Sequence, residues 1–277
     1  MRYTIVLQEV SNLQNATSLF FFDCCMTHGK MFLRTVLSIS KRELRSFFGS
    51  VTGYIVIAIF LAGTSLFLWV FPNNYNVLDS GYASLDGLFV LAPWLFLFLC
   101  PAITMRLFAE EKQQGTLELL LARPASKYAI VLGKALSGWF IVIITLLITL
   151  VWYFSIKFLA EPAGNVDSGA FWGSFIGLLL LSAVYIAIGV FASAISDNQV
   201  VAFLLAAVMC FVLFIGFDFL SSLATDGSLS QTISLSGIDA HYKSISRGVI
   251  DSRDLLYFVA VSTLFLFLTE FVLKKRK

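Results

Sequence analysis

The chain has 277 residues, 58% of them hydrophobic and 13% charged, with a formal net charge of +2 and a mean hydropathy of +0.87. Soluble domains average roughly half apolar and a quarter charged residues, so these values exclude a water-dissolved globule and make lipid the main solvent. An outer-membrane barrel, with ~10-residue segments alternating apolar and polar positions, is excluded by runs such as Phe140 to Val151 that are apolar on every face. Several such runs are long enough to cross ~30 Å of hydrocarbon at ~1.5 Å per residue, and the expected fold is all-α, a polytopic membrane protein.

Residues 1–30 show no basic segment followed by an apolar one, and Leu19 to Phe22 is too short for a signal or a span, so a cleaved signal peptide is not expected. Met31 stands directly before an amphipathic stretch. Two readings of residues 1–31 stay open, an upstream extension that is not translated and a disordered cytoplasmic tail; the membrane domain then covers 32–277.

At 100° per residue, Leu33, Val36, Leu37, Leu44, Phe47 and Phe48 share one helix face, while Arg34, Ser38, Lys41 and Arg45 share the other. With Arg42 beside them, these basic residues predict an interfacial helix lying in the headgroup plane and leading into the first span after Gly49. It serves either as a membrane anchor with basic flanks or as an elbow that also touches a cytoplasmic partner. Six spans follow, at about Thr52 to Phe71, Gly87 to Met105, Gly138 to Leu159, Phe171 to Ile195, Val200 to Leu220 and Leu255 to Val272. Only Ser196, Asp197, Asn198 and Gln199 separate the fourth from the fifth.

Lys and Arg set the orientation. Arg34, Lys41, Arg42 and Arg45 precede the first span, Arg106, Lys112, Arg123, Lys127 and Lys134 follow the second, and Lys274 to Lys277 close the chain. The connection from Pro72 to Asp86 has none and the third-to-fourth only Lys157, so both termini are expected in the cytoplasm. The fifth-to-sixth connection mixes Lys243, Arg247 and Arg253 with Asp226, Asp239, Asp251 and Asp254 and is assigned outside.

The segment from Thr104 to Lys134 is too polar to cross a membrane and too patterned to be a passive linker. Arg106 to Gln114 holds helix formers, Gly115 suits a helix end, Thr116 suits the next cap, and Pro124 stops a second helix after Leu117 to Leu121. Two short helices would then form a knuckle exposing Glu110, Glu111, Lys112 and Glu118 beside leucines, the chemistry of a docking surface.

Other chemistries fail on particular residues. A phosphate-binding GxxxxGK[ST] loop around Gly133-Lys134 would need Gly at Tyr128 and Ser or Thr at Ala135, so this chain is not expected to be an enzyme that hydrolyses ATP. An EExxxR intramembrane protease motif would need Arg at Gly115, and no His falls in a span to complete a metal site. Cys24, Cys25, Cys100 and Cys210 have no disulfide or metal spacing. Asp218 near the outer end of the fifth span and Glu270, one turn before Lys274, read as interfacial and surface-paired, and His28 and His241 lie outside the spans; the carboxylate and histidine chain of a proton-coupled carrier is missing. Gly173, Ser174 and Gly177 suit close packing of helices or of subunits.

The stretches "FAEEKQQGTLELLLARP", "SDNQVVAF" and "HYKSISRGVIDSRDLLYF", set among six spans and an elbow helix, resemble the permease subunits of ABC-2-type transporters over about residues 32–277. Within that family they are most similar to the permease associated with gliding motility in Bacteroidetes. The resemblance implies an elbow helix, a cytoplasmic coupling helix between spans two and three, and a 221–253 segment that dips into the outer leaflet. It further implies that Glu110, Glu111, Lys112, Gly115, Thr116 and Glu118 dock on a separate ATPase subunit, which holds ATP and Mg while this chain holds no cofactor. A second permease subunit, identical or related, completes an exporter in the bacterial inner membrane; nucleic acid is not an expected partner. The rival expectation is a structural component that assembles or energises a larger complex without passing a solute itself.

Overall fold

The computed structural model describes residues 31–73, 75–79, 84–122, 126–160, 167–223, 227–248 and 251–275. The N-terminal extension with His28, and the Arg123 and Pro124 that were to close the knuckle, lie outside the described residues. The described secondary structure is helical: α1 (residues 31–48), α2 (Val51–Trp69), α3 (Asp86–Gln113), α4 (Leu117–Leu121), α5 (Lys127–Leu159), α6 (Ser168–Ile195), α7 (Gln199–Leu223), α8 (Gly227–Leu235), α9 (Ile238–Ile245) and α10 (Ser252–Lys275). Six of these, α2, α3, α5, α6, α7 and α10, are long and apolar enough to cross a membrane. The fold is therefore all-α with six membrane-spanning helices, as composition required.

Two spans are much longer than the bilayer needs. At ~1.5 Å per residue, the 28 residues of α3 and 33 of α5 exceed ~30 Å of hydrocarbon and project beyond it at the same end. Arg106 to Gln113 is the end of α3, not a separate short helix, because no Gly or Pro interrupts it after Pro101 and the Thr104 hydroxyl turns back to the Cys100 carbonyl instead of capping a new helix. Helix α5 begins at Lys127, eleven residues before its expected apolar start at Gly138, where the Ser126 hydroxyl accepts from the Ala129 N–H at 3.2 Å.

Helix α6 is the centre of the bundle: 72% of its apolar window is buried within the chain, against 11% for α10 and 22% for α7. The outer helices thus leave apolar faces to lipid, which is as apolar as they are, so the bundle is held by close packing and interhelical hydrogen bonds. Gly189 and Ser193, one turn apart on α6, supply both. A Cβ at Gly189 would stand 2.1 Å from Thr104 Oγ1 of α3. Ser193 Oγ accepts from the N–H groups of Phe108 and Ala109, at 3.0 and 3.1 Å, and donates to the Met105 carbonyl at 3.1 Å. The α6 hydroxyl is inserted into the backbone of α3 just where α3 leaves the apolar layer, which fixes the register of the projecting end.

At the opposite end α8 and α9, both too short to span, fold back between α7 and α10. The small residues of α6 seat α9 of this same chain: a Cβ at Gly173 would lie 2.6 Å from Gly248 Cα, Gly177 faces Ile245, and Ser174 Oγ donates to the Ser246 carbonyl at 2.8 Å. Tyr242 of α9 donates its hydroxyl to the Phe89 carbonyl of α3 at 2.6 Å. Helix α9 is therefore built into the bundle and is not a loose loop.

Candidate functional site

The projecting ends of α3 and α5, the start of α2, the turn between α6 and α7, and helices α1 and α4 meet at one end of the bundle. It carries Arg34, Lys41, Arg42, Arg45, Arg106, Lys112, Lys127, Lys134, Lys274 and Lys275, with the Lys127 ammonium on the Leu273 carbonyl at 3.2 Å bringing α10 there. We call it the basic end.

Helix α1 has three faces where two were expected. Arg34, Ser38, Lys41 and Arg45 are exposed as predicted. The apolar side is divided: Leu33 and Leu37 are 60% and 54% exposed and look outward, whereas Val36, Ile39, Ser40, Glu43 and Phe47 turn toward the protein. The inward face lies against α5 at Gly133, where a Cβ would stand 2.9 Å from Ile39 Cβ and 3.0 Å from the Val36 carbonyl. A helix with one face on protein, one on lipid and one in water suits the membrane surface beside the bundle.

Below that contact sits a four-charge cluster. Lys134 of α5 is fully buried; its ammonium reaches Glu43 Oε1 of α1 at 3.1 Å, Glu111 Oε1 of α3 at 2.9 Å and the Leu107 carbonyl of α3 at 2.5 Å. These three acceptors use all three of its donors, and the Phe108 ring lies 4.9 Å below. From the solvent side the Arg42 guanidinium touches the same two carboxylate oxygens, at 2.6 Å for Glu43 and 2.8 Å for Glu111. Two cations and two anions balance, as burial demands. Glu111 Oε2 is buried without a hydrogen-bond partner, so Glu111 meets Lys134 and Arg42 through Oε1.

Two more contacts fix α3. Arg106 pairs with Glu110 at 3.2 Å and donates to Thr52 Oγ1 at the start of α2 at 2.5 Å. Lys112, with a side chain 5% exposed, donates to the carbonyls of Ala194 and Ser196 and lies 3.5 Å from Asp197, a cation at the C-terminal end of α6 where the helix dipole favours one. Helix α3 then ends in a Schellman arrangement. Gly115 at φ +68° donates to the Lys112 carbonyl and Thr116 N–H to the Glu111 carbonyl. The expected Thr116 cap on α4 does not form, because its hydroxyl turns back to the same Glu111 carbonyl at 3.2 Å. Leu117 and Leu120 are buried beneath α4, and Leu119 is 71% exposed.

The six expected docking residues therefore divide. Glu111 and Lys112 point inward and hold the knuckle; Glu110 is half-buried on Arg106; Gly115, Thr116 and Glu118 are exposed with Gln113, Gln114 and Leu119. A cleft of about 190 Å³ between α1 and α4 is lined by Arg42, Glu111, Thr116, Leu119 and Leu120. Sequence reasoning missed Glu43 and Lys134. The available signals were a lone acid on the inward side of a basic helix and a lysine set among apolar residues of a long helix.

At the opposite end a cavity of about 470 Å³ is walled by α3, α6, α7 and α9, with Asp86, Trp94, Phe214, Asp218, Asp239 and Lys243 among its residues. Asp218, expected to be merely interfacial, is half-buried and accepts from Ser234 Oγ at 3.3 Å. Burial, and the hydrogen-bonded carboxyl of Asp218, raise Asp239 above the usual carboxylate range against the opposing pull of Lys243 at 2.5 Å. His241 Nδ1 lies 2.7 Å from Asp254 Oδ1 and ties α9 to the first turn of α10. The Glu270–Lys274 pair forms as expected, at 2.6 Å.

Six spanning helices with a pinned, polar projection at one end define a multi-pass membrane protein. The chain belongs to the ABC-2 family: the model for ABC-2 family transporter protein matches residues 3–273, nearly the whole chain. No curated protein matches it.

Proposed function

We propose that this chain is the permease subunit of an ATP-driven ABC exporter, with α1 as its elbow helix and α4 as its coupling helix. The observation that carries the reading is the asymmetry of the knuckle, whose inward Glu111 and Lys112 are tied to other helices while the tip from Gln113 to Leu119, Leu117 apart, is solvent-exposed. A rigidly held tip presenting Glu118 and an exposed Leu119 suits a groove on a partner better than it suits water. Members of the family work with an ABC ATPase, and that separate subunit would hold ATP and Mg.

The excess of Lys and Arg at the basic end supports a cytoplasmic position for it, and for both termini, in a bacterial inner membrane. ATP-driven closure of two ATPases would move the docked tips, and α3 and α5 would carry that motion into the bundle as rigid bodies. A second permease, identical or related, would complete the pathway. The likeness of the "FAEEKQQGTLELLLARP" stretch to gliding-motility permeases supports placing the complex in that machinery.

A photo-crosslinking residue at Leu119 tests this in native membranes. Covalent capture of an ATPase with a Walker A sequence, lost when Glu118→Lys is added, is the expected result. Labelling from Leu119 no different from that at a lipid-facing residue such as Ile59 would contradict it.

A further inference from the structure

We infer that Lys134 is a positioning residue for coupling: a buried ammonium that locks the elbow helix α1 and the knuckle α3–α4 to α5, so that all three move as one body. The inference rests on the proposed docking of α4 but concerns contacts within this chain alone.

The four charges come from three separate elements, and only Lys134 lies at their centre. Glu43 belongs to α1, Glu111 to the projecting turn of α3, and Lys134 to α5, with Nζ–Oε1 distances of 3.1 and 2.9 Å. The third donor goes to the Leu107 carbonyl, one turn before Glu111 on the same helix. Glu111 in turn receives both the N–H and the hydroxyl of Thr116 on its carbonyl, at 2.9 and 3.2 Å, the last fixed point before α4. A force applied at the tip therefore meets Glu111 first, then Lys134, then α1 and α5 together.

Geometry assigns this role to Lys134 and not to Arg42, which touches the same carboxylates. The Arg42 side chain is 49% exposed, where water competes for its contacts, while Lys134 has no exposed surface. Arg42 also belongs to α1 and cannot by itself join α1 to α5. The neighbouring Gly133 completes the device, because its missing side chain lets α1 approach closely enough for Glu43 to reach the ammonium. Adjacent residues thus supply the close approach and the charge.

The test separates a lock from mere charge balance. Spin labels at Lys41→Cys on α1 and Glu118→Cys on α4, with Cys24 and Cys25 changed to Ser, report the α1–α4 distance for the full chain in lipid nanodiscs. The parent should give one narrow distance. Lys134→Met leaves two carboxylates with a single cation and risks misfolding, so the deciding variant is Lys134→Met with Glu43→Gln and Glu111→Gln, which removes the buried charges together. Gly133→Val opens the same contact with every charge in place. The expected result is loss of the narrow distance in both, and loss of tip-dependent ATP turnover when the triple variant, without labels, is purified with its ATPase. A folded triple variant that keeps both the narrow distance and the parent's turnover would overturn the inference, since charge balance alone would then explain Lys134. Recovery of the unsubstituted chain with no ATPase would instead count against the permease reading, leaving the distance measurement to decide the lock.

Discussion

Single polar side chains inside an apolar bundle decide where its helices sit. Ser193 serves two backbone donors of α3 with one hydroxyl, so Ser193→Ala leaves the N–H groups of Phe108 and Ala109 without that acceptor. Losing a hydrogen bond of this kind costs about 0.5–1.5 kcal/mol, and a lower thermal midpoint in detergent, with Ser193→Thr closer to the parent, is the expected outcome; an unchanged midpoint for Ser193→Ala would refute the role. Little of this was legible in the sequence. Gly173, Ser174 and Gly177 were recognisable as close-packing residues, but that they seat α9, and that Gly189 and Ser193 grip α3, depends on which faces meet across long sequence separations. Lys134 was visible as one of the orienting basic residues and as part of a failed nucleotide motif, and Glu43 carried no signal strong enough to separate it from the surrounding basic face. Conversely, Glu111 and Lys112 looked like surface charges because sequence shows charge and not direction.

Whole elements were far more legible than contacts. Apolar length alone located all six spans, because hydrocarbon thickness imposes a minimum run that few other structures need. The short α4 was placed at Leu117–Leu121 by its flanking turn residues, whereas the division of α3 failed, since local helix formers continue a helix unless something stops it, and the early start of α5 and helices α8 and α9 were not foreseen. The opposite end offers an element-scale prediction. Asp218 of α7 and Asp239 of α9 share a cavity wall with Asp86 of α3, with Lys243 on Asp239 and Ser234 of α8 on Asp218. Because Asp239 holds its proton more tightly folded than unfolded, its contribution to stability is greatest at low pH and is lost as pH rises through its raised folded value. Asp218→Asn removes the neighbouring charge, so it should raise the thermal midpoint at neutral pH and flatten its fall between mildly acidic and neutral pH. A variant with the same slope as the parent would show that the two carboxyls do not interact.

At the scale of the molecule, the two ends of the bundle have different constructions. The basic end is a frame of ion pairs and caps around a projecting tip, whereas at the opposite end α9 helps wall a cavity that carries Asp86, Asp218, Asp239 and Lys243. Between them α6 is the most enclosed of the six spans and α7 and α10 face lipid, an arrangement suited to transmitting displacement of α3 and α5 through a fixed centre. The proposed junction with an ATPase motor is the tip from Gln113 to Leu119. The most direct measurement is to purify the chain in mild detergent, identify what accompanies it, and assay ATP hydrolysis with and without Leu119→Asp. Stoichiometric recovery of a Walker A ATPase, active in the complex and lost with Leu119→Asp, is the predicted result. Clean recovery of the chain without such a partner, or a partner indifferent to Leu119→Asp, would contradict the account.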